Sequence, residues 1–313
     1  MSSQNSSTVL VIGATGAHGR TGSTVVDHLL ANDRSVRVLV RSDDDRAAAL
    51  RQRGAQTVLG DLHDRSTLVG AVDEVAAVYF AYPINAGVVP AAANLASVLR
   101  EADAHPHVVV MSMAPSAHRS PSKLGQAQII AEEILTWASL NPTILRVAAL
   151  FHENILTLHA RQIREEGLIR NSFGTGRAPW IGGRDAAELA VRALLRPAPP
   201  AAEVSYPPGA EALSHVEIAD IIGAETGRTI SYAAISQDQW RQNLEQQAVH
   251  SAPSPVNAAM AQHISALGAT LAAGASPTAP ADPAALEAIL GHPPETFVEY
   301  VRRHRSDFLT DTA

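Results

Sequence analysis

A short apolar run, Thr8 to Ile12, passes directly into Gly13-Ala14-Thr15-Gly16-Ala17-His18-Gly19 and then into an amphipathic stretch, Gly19 to Asn32. A strand that ends in glycines and restarts as a helix makes a tight turn, and its free backbone N–H groups and the positive helix end converge on one point. That point suits a pyrophosphate, and glycine lets the backbone approach it closely. Gly13, Ala14, Thr15, Gly16, Ala17, His18 and Gly19 therefore open the expected cofactor-binding set.

The pattern repeats. Strand candidates are Thr8 to Ile12, Ser35 to Val40, Gln56 to Leu59, Val75 to Ala81, His107 to Ser112 and Thr143 to Val147. Between them lie helical stretches around Gly19 to Asn32, Asp45 to Arg53, Asp64 to Val72, Val88 to Ala102 and Gln126 to Ser139. Strand starts roughly 20 to 35 residues apart suit right-handed βαβ crossovers, so the fold class is α/β, a doubly wound parallel Rossmann sheet. The alternation fades after Arg146, which places a nucleotide-binding domain over 1–153 and a smaller mixed, mainly helical substrate lobe over 154–313.

Within the second part, Asp185 reads as the N-cap of a helix to Leu195 that packs back on the first domain. Ser214 with Glu217, and Ser236 with Gln239, are capping-box patterns. Gln246 to Pro283, rich in Ala, Ser and Pro, reads as the mobile part, with one helix from Val256 to Leu271.

Composition narrows the chemistry. A net charge of −7 without a basic run argues against a nucleic-acid footprint. The absence of cysteine removes disulfides, thiol catalysis and Cys-ligated metal, and no spacing suggests another metal site. The run at Val9 to Ile12 is far too short for a signal peptide or a membrane span, so the expectation is a soluble, cytoplasmic protein, monomeric or dimeric.

The residue after the second strand discriminates between nicotinamide cofactors: an acid binds the ribose 2′-OH, whereas Arg accommodates a 2′-phosphate. Here Leu39-Val40 leads to Arg41, which favours NADP(H) over NAD(H), and Asp43 to Asp45 read as capping the next helix. Asp61 and Leu62, after the third strand, are placed to cover the adenine or to form a plain turn.

The opening GATGAHG, Val40-Arg41, Gly60-Asp61, Ala131-Glu132-Glu133-Ile134-Leu135 with Thr143-Ile144-Leu145-Arg146, Phe151-His152-Glu153-Asn154, and Leu290 to Phe297 together resemble the NmrA-like group of atypical short-chain dehydrogenase/reductases over nearly the whole chain. The resemblance implies NADP(H) binding. It also implies that Ala81-Tyr82-Pro83 lies along the cofactor and that Val147, Ala148 and the following residues to Phe151 lie near the nicotinamide. The usual proton donor of these enzymes, a Tyr four residues before a Lys, is absent: Arg119 precedes Lys123, and no Tyr occurs between Tyr82 and Tyr206. Where many relatives carry a Lys ahead of the paired glutamates, this chain has Gln128 or a residue close to it.

Lys123 is the chain's single lysine among 24 basic residues, and two readings are open: an amine that exchanges a proton, or a solvated surface side chain. Ser112, ending the fifth strand, either faces the nicotinamide or caps a loop. His18 and His152 read as packed or solvated. Phe151, Phe173 and Trp180, with Asn154 as a polar contact, form a candidate wall for a flat small-molecule substrate, core filling being the other reading of the aromatics. The expected function is an NADPH-dependent reductase of quinone, enone or dye-like compounds, a reduced quinone leaving as a stabilised oxyanion that water protonates. A cofactor-sensing regulator that binds NADP(H) and a protein partner is the rival.

Overall fold

The computed structural model describes residues 8–16, 19–250, 254, 256–275 and 280–309; Ala17 and His18 lie outside the described residues. The first half builds β1 (Thr8–Ile12), α1 (Thr21–Ala31), β2 (Val36–Val40), α2 (Asp45–Gln52), β3 (Gln56–Leu59), β4 (Val75–Phe80), α3 (Val88–Glu101), β5 (His107–Met113), α4 (Lys123–Trp137) and β6 (Thr143–Val147). A 3₁₀ helix, Arg65–Ala71, replaces the α-helix expected over Asp64 to Val72. These strands and β10 (Glu203–Ser205) form one parallel sheet in the order β3-β2-β1-β4-β5-β6-β10. The order reverses between β1 and β4, and in open α/β sheets the crevice at the carboxyl ends of such strands receives the ligand.

The remaining elements are β7 (Leu150–Phe151), α5 (Glu153–Glu166), β8 (Leu168–Asn171), β9 (Ala178–Ile181), α6 (Gly183–Leu195), β11 (Glu211–Leu213), α7 (His215–Thr226), β12 (Ser231–Ala234), α8 (Gln237–His250), α9 (Ala258–Ala272), α10 (Pro283–Leu290) and α11 (Phe297–Arg303). They add a three-stranded sheet, β11-β9-β7, and a parallel pair, β12-β8.

Two apolar layers sandwich the large sheet. On one face Val25, Val26 and Leu29 of α1 share a cluster with Ala186, Leu189 and Ala190 of α6, which returns from the second half of the chain. On the other, Ala92, Leu95 and Leu99 of α3 pack with Ala131 and Leu135 of α4. The buried positions recur at helical spacing, so each helix presents one stripe to the sheet.

Asp185 does not cap α6. The helix starts at Gly183 after Gly182, and the Asp185 carboxylate instead accepts the Glu295 N–H at 2.8 Å. The capping box of Ser214 and Glu217 is present at α7. The stretch expected to be mobile contains α9, whose Met260, Ala261 and Leu271 are buried with Trp240 and Leu244. This agrees with the helix expected from Val256 to Leu271, and its small side chains allow close packing: a Cβ on Gly268 would stand 2.6 Å from Ser172 Oγ. Among the described residues no helix is long and apolar enough to cross a membrane.

Candidate functional site

The turn after β1 owes its shape to contact with the neighbouring strand. Gly13 has φ +94°, and a Cβ there would lie 2.3 Å from the Ala81 carbonyl oxygen just beyond β4. Gly22 makes the matching approach from α1, where a Cβ would stand 2.5 Å from the Gly13 oxygen. Arg20, at φ 49°, precedes α1 without a side-chain cap, so the first-turn N–H groups keep no side-chain partner. Tyr79 anchors this helix end by donating to Thr21 Oγ1 at 3.1 Å.

A cavity of about 730 Å³ opens over this turn at the switch point of the sheet. Gly13, Thr15, Gly16, Arg41, Asp61, Leu62, Ala81, Tyr82, Pro83, Ser112, Val147, Phe151 and Asn154 line it. Residues far apart in sequence, read separately as cofactor or substrate contacts, therefore share one space. Ala14 and Ala148 are buried behind the lining rather than in it; Ala148 donates its N–H to the Pro207 carbonyl at 2.9 Å.

At one end stand Arg41 and Arg46. Arg46 is neutralised by Asp44 at 2.6 Å, and Asp44 also caps α2 through the N–H groups of Arg46 and Ala47. Among the described residues Arg41 has no ion-pair partner, so its guanidinium faces this end uncompensated. Tyr82 gives its proton to the Ala86 carbonyl at 3.1 Å, which makes His63 Nε2, 2.7 Å away, the donor to the Tyr82 oxygen. Burial raises the Tyr82 phenol above its ordinary range, with Asp61 adding to the effect and Arg41 opposing it.

At the other end a buried polar network lies under the wall. Glu132 Oε1 accepts the hydroxyl protons of Ser112 and, at 2.9 Å, of Ser116. Its Oε2 takes Nε and Nη2 of Arg146 at 3.0 and 2.5 Å, and Arg146 Nη1 reaches the Tyr206 hydroxyl at 2.6 Å. Ser112 is paired with Arg146 in the β5–β6 register, so adjacent strands and α4 are tied together behind the cavity. Bidentate, charge-assisted bonds of this kind hold geometry tightly.

The Phe151 ring lies at the distance of contact with Gly19, 3.4 Å from the place of a Cβ there. Glu153, next along, accepts the Gly183 N–H at 3.1 Å, and burial pushes its carboxyl up to about 7. Asn154 turns a buried Oδ1 without a hydrogen-bond partner, one turn from Phe151.

Gly19 stands beside the cavity rather than in its lining, and Lys123, Trp180 and Phe173 fall elsewhere. Lys123 is exposed at the start of α4, outside the lining, and its backbone N–H donates to Gln262 Oε1 at 2.9 Å. Trp180 and Phe173 are buried off the cavity: Trp180 donates to the Leu213 carbonyl at 3.0 Å beside Phe297 and His215, and Phe173 packs with Trp240 and Met260. Both fill the core because β9 and the turn before it are covered on both sides, while their neighbours Ala178 and Pro179 reach the cavity.

The wall also contains residues that sequence reasoning did not assign. Met111, Met113 and Pro115 flank Ser112, and Gln128 stands one turn before Glu132 on α4. From α9 come His263, Leu267 and Leu271, whose i, i+4 spacing is the signal that places them on one face. Asn257 fixes this helix by capping it and by donating to the Ile84 carbonyl at 2.9 Å. Ser122, the α4 cap, contacts His263 Nδ1 at 2.6 Å.

Comparison with known proteins agrees with this architecture. The chain is 30% identical over 306 residues to an NAD(P)H azoreductase of Xenophilus azovorans, covering 96% of this chain and 99% of the relative. The NADPH-dependent quinone oxidoreductase of Escherichia coli, solved with NADPH, superposes with a TM-score of 0.79 at 22% identity over 95% of this chain and 99% of that one. The triphenylmethane reductase of Citrobacter sp., solved with NADP(H), gives 0.76 at 19% identity over 94% and 99%. The model of the NmrA-like family matches residues 5–301, and the chain belongs to that family.

Proposed function

We propose that the protein is an NADPH-dependent reductase of electron-poor conjugated compounds, quinones and azo or other dyes among them. The observation that carries this reading is the single cavity joining the uncapped turn of Gly13 to Gly16, the unpaired Arg41 and an apolar far end of Met111, Met113, Leu150 and Phe151. The residues fit a dinucleotide. Gly13 lets the turn pack against the Ala81 carbonyl, Gly16 follows it along the cavity lining, and Arg41 supplies a charge for a 2′-phosphate. Asp61 and Leu62 flank the adenine end together with Tyr82.

The dihydronicotinamide, when bound, supplies the hydride. The chain orients the partners and excludes water with Met111, Met113, Leu150, Phe151 and Leu267, whose apolar side chains line the far end. Ser112 commits its proton to Glu132, and among the described residues no tyrosine stands beside it in the lining, so the tyrosine acid usual in these enzymes is missing there. A simple ketone needs protonation at oxygen as the hydride arrives, whereas a reduced quinone is a stabilised oxyanion that water protonates. The names of the similar proteins, an azoreductase, a quinone oxidoreductase and a triphenylmethane reductase, support the same class.

Steady-state NADPH consumption across quinones, azo dyes, enones and simple aldehydes tests the reading. Turnover with the first two classes and little with aldehydes is expected. NADPH binding without consumption by any of them would favour a cofactor-sensing role instead.

A further inference from the structure

Gln128 is 6% exposed and lines the cavity, yet its side-chain amide makes no hydrogen bond to a described residue. Its amide atoms are not among the fully buried polar atoms without a partner, so they keep some accessible surface. The cavity is the direction left open. Gln128 and Glu132 stand one turn apart on the same face of α4, and Glu132 takes the proton of Ser112, so Gln128 and Ser112 share one wall.

The two groups differ in what they offer. Arg146 holds Glu132 with two hydrogen bonds, and the carboxylate can only accept, so the single Ser112 proton points away from the cavity. Ser112 therefore shows lone pairs to the cavity. The Gln128 amide supplies N–H groups on the same wall. A quinone or an azo compound carries acceptor atoms and no hydrogen to give, so it is served by the amide and not by the serine.

Resting on the reductase reading above, we propose that Gln128 Nε2 donates a hydrogen bond to the acceptor atom of the substrate, a carbonyl oxygen or an azo nitrogen, and so selects substrates that present acceptors at the reducing end. No proton leaves the amide. It positions and polarises the acceptor, and Glu132 with Arg146 is a positioning pair that keeps Ser112 an acceptor.

The test uses menadione as substrate, with kcat, KM and NADPH affinity measured for the wild type, Gln128→Met and Gln128→Glu. Loss of one hydrogen bond of ordinary strength should raise KM about tenfold in Gln128→Met while NADPH affinity stays within about twofold. In Gln128→Glu the carboxylate cannot donate but the carboxylic acid can, so KM should resemble that of Gln128→Met at alkaline pH and recover toward the wild-type value on acidification. A purely structural role does not produce that recovery. An unchanged KM in Gln128→Met, a parallel loss of NADPH affinity, or a Gln128→Glu pH profile matching the wild type would each overturn the proposal. Should Gln128→Met fold poorly, the pH profile of Gln128→Glu still decides. If the wild type binds NADPH but turns nothing over, the reductase reading fails by itself, and the same comparison is made on menadione dissociation constants by equilibrium dialysis of the NADP⁺-loaded protein.

Discussion

The Ala81 carbonyl oxygen occupies the space that a side chain on Gly13 would need, 2.3 Å from the position of its Cβ. The turns after the first and fourth strands therefore touch at the reversal of the sheet, and the cavity floor is built from that contact. Gly13→Ala should meet both this clash and the cost of a left-handed φ, roughly 1–3 kcal/mol for the backbone alone. The expected outcome is a lower melting temperature together with loss of NADPH binding, read by thermal denaturation and calorimetric titration. A variant with unchanged NADPH affinity would contradict the assignment of this turn.

Arg41 is the charge left over at the adenine end once Asp44 has neutralised Arg46. Arg41→Ala should weaken NADPH by roughly 1.5–3 kcal/mol, the range for a hydrogen bond to a charged group, and NADH far less. Dissociation constants for both cofactors check this. Equal losses would remove the 2′-phosphate role.

Lys123→Met should leave turnover and NADPH affinity within about twofold of the wild type, because the side chain is exposed and off the cavity wall. Lys123 is five residues before Gln128, about 140° around the helix from the face that carries Gln128 and Glu132. A large loss of turnover with intact cofactor binding would contradict this placement.

His152 is fully buried among Phe297 and Tyr300 with both ring nitrogens unpartnered, and burial pushes its imidazole down to about 3. The unfolded chain takes up that proton below pH ~6.5 while the folded chain does not, so this residue costs stability as pH falls from there toward 3. His159, also lowered to about 3 by burial, acts in the same direction. Glu153, raised to about 7 by burial, acts oppositely because the folded chain holds its proton first. A variant comparison separates these effects. His152→Phe should gain stability over the wild type, and the gain should widen by roughly 2 kcal/mol between pH 8 and pH 5. Urea midpoints at the two pH values measure it, and a gain independent of pH would show that His152 does not stay neutral in the fold.

Much of this was legible in the chain. The six strands read from β-branched runs agree with β1 to β6 to within one residue at each end, because the inner strands are buried on both faces of a parallel sheet, which demands such runs. Gly13, Gly16, Arg41 and Tyr82 reach one cavity because strand ends in this fold converge at the switch point. What stayed hidden depends on which way a buried side chain turns. Trp180 and Pro179 are both buried in β9, and apolar character alone does not separate the core side from the cavity side. Helix α9 was legible as a helix from Val256 to Leu271, but the close packing that its Ala, Ser and Gly residues allow was not. Gln128 is a polar residue in a helix otherwise explained by packing, and only the cavity beside it reveals a use.

The most direct measurement is a single-turnover reaction in which the protein, loaded with NADPH deuterated at one or the other face of the nicotinamide C4, is mixed with menadione or an azo dye. The expected result is nicotinamide oxidation in step with reduction of the acceptor, slowed by deuterium on one face only, with that deuterium lost from the cofactor. Tight NADPH binding with no oxidation in the presence of either acceptor would contradict the assignment of this cavity as a site of hydride transfer.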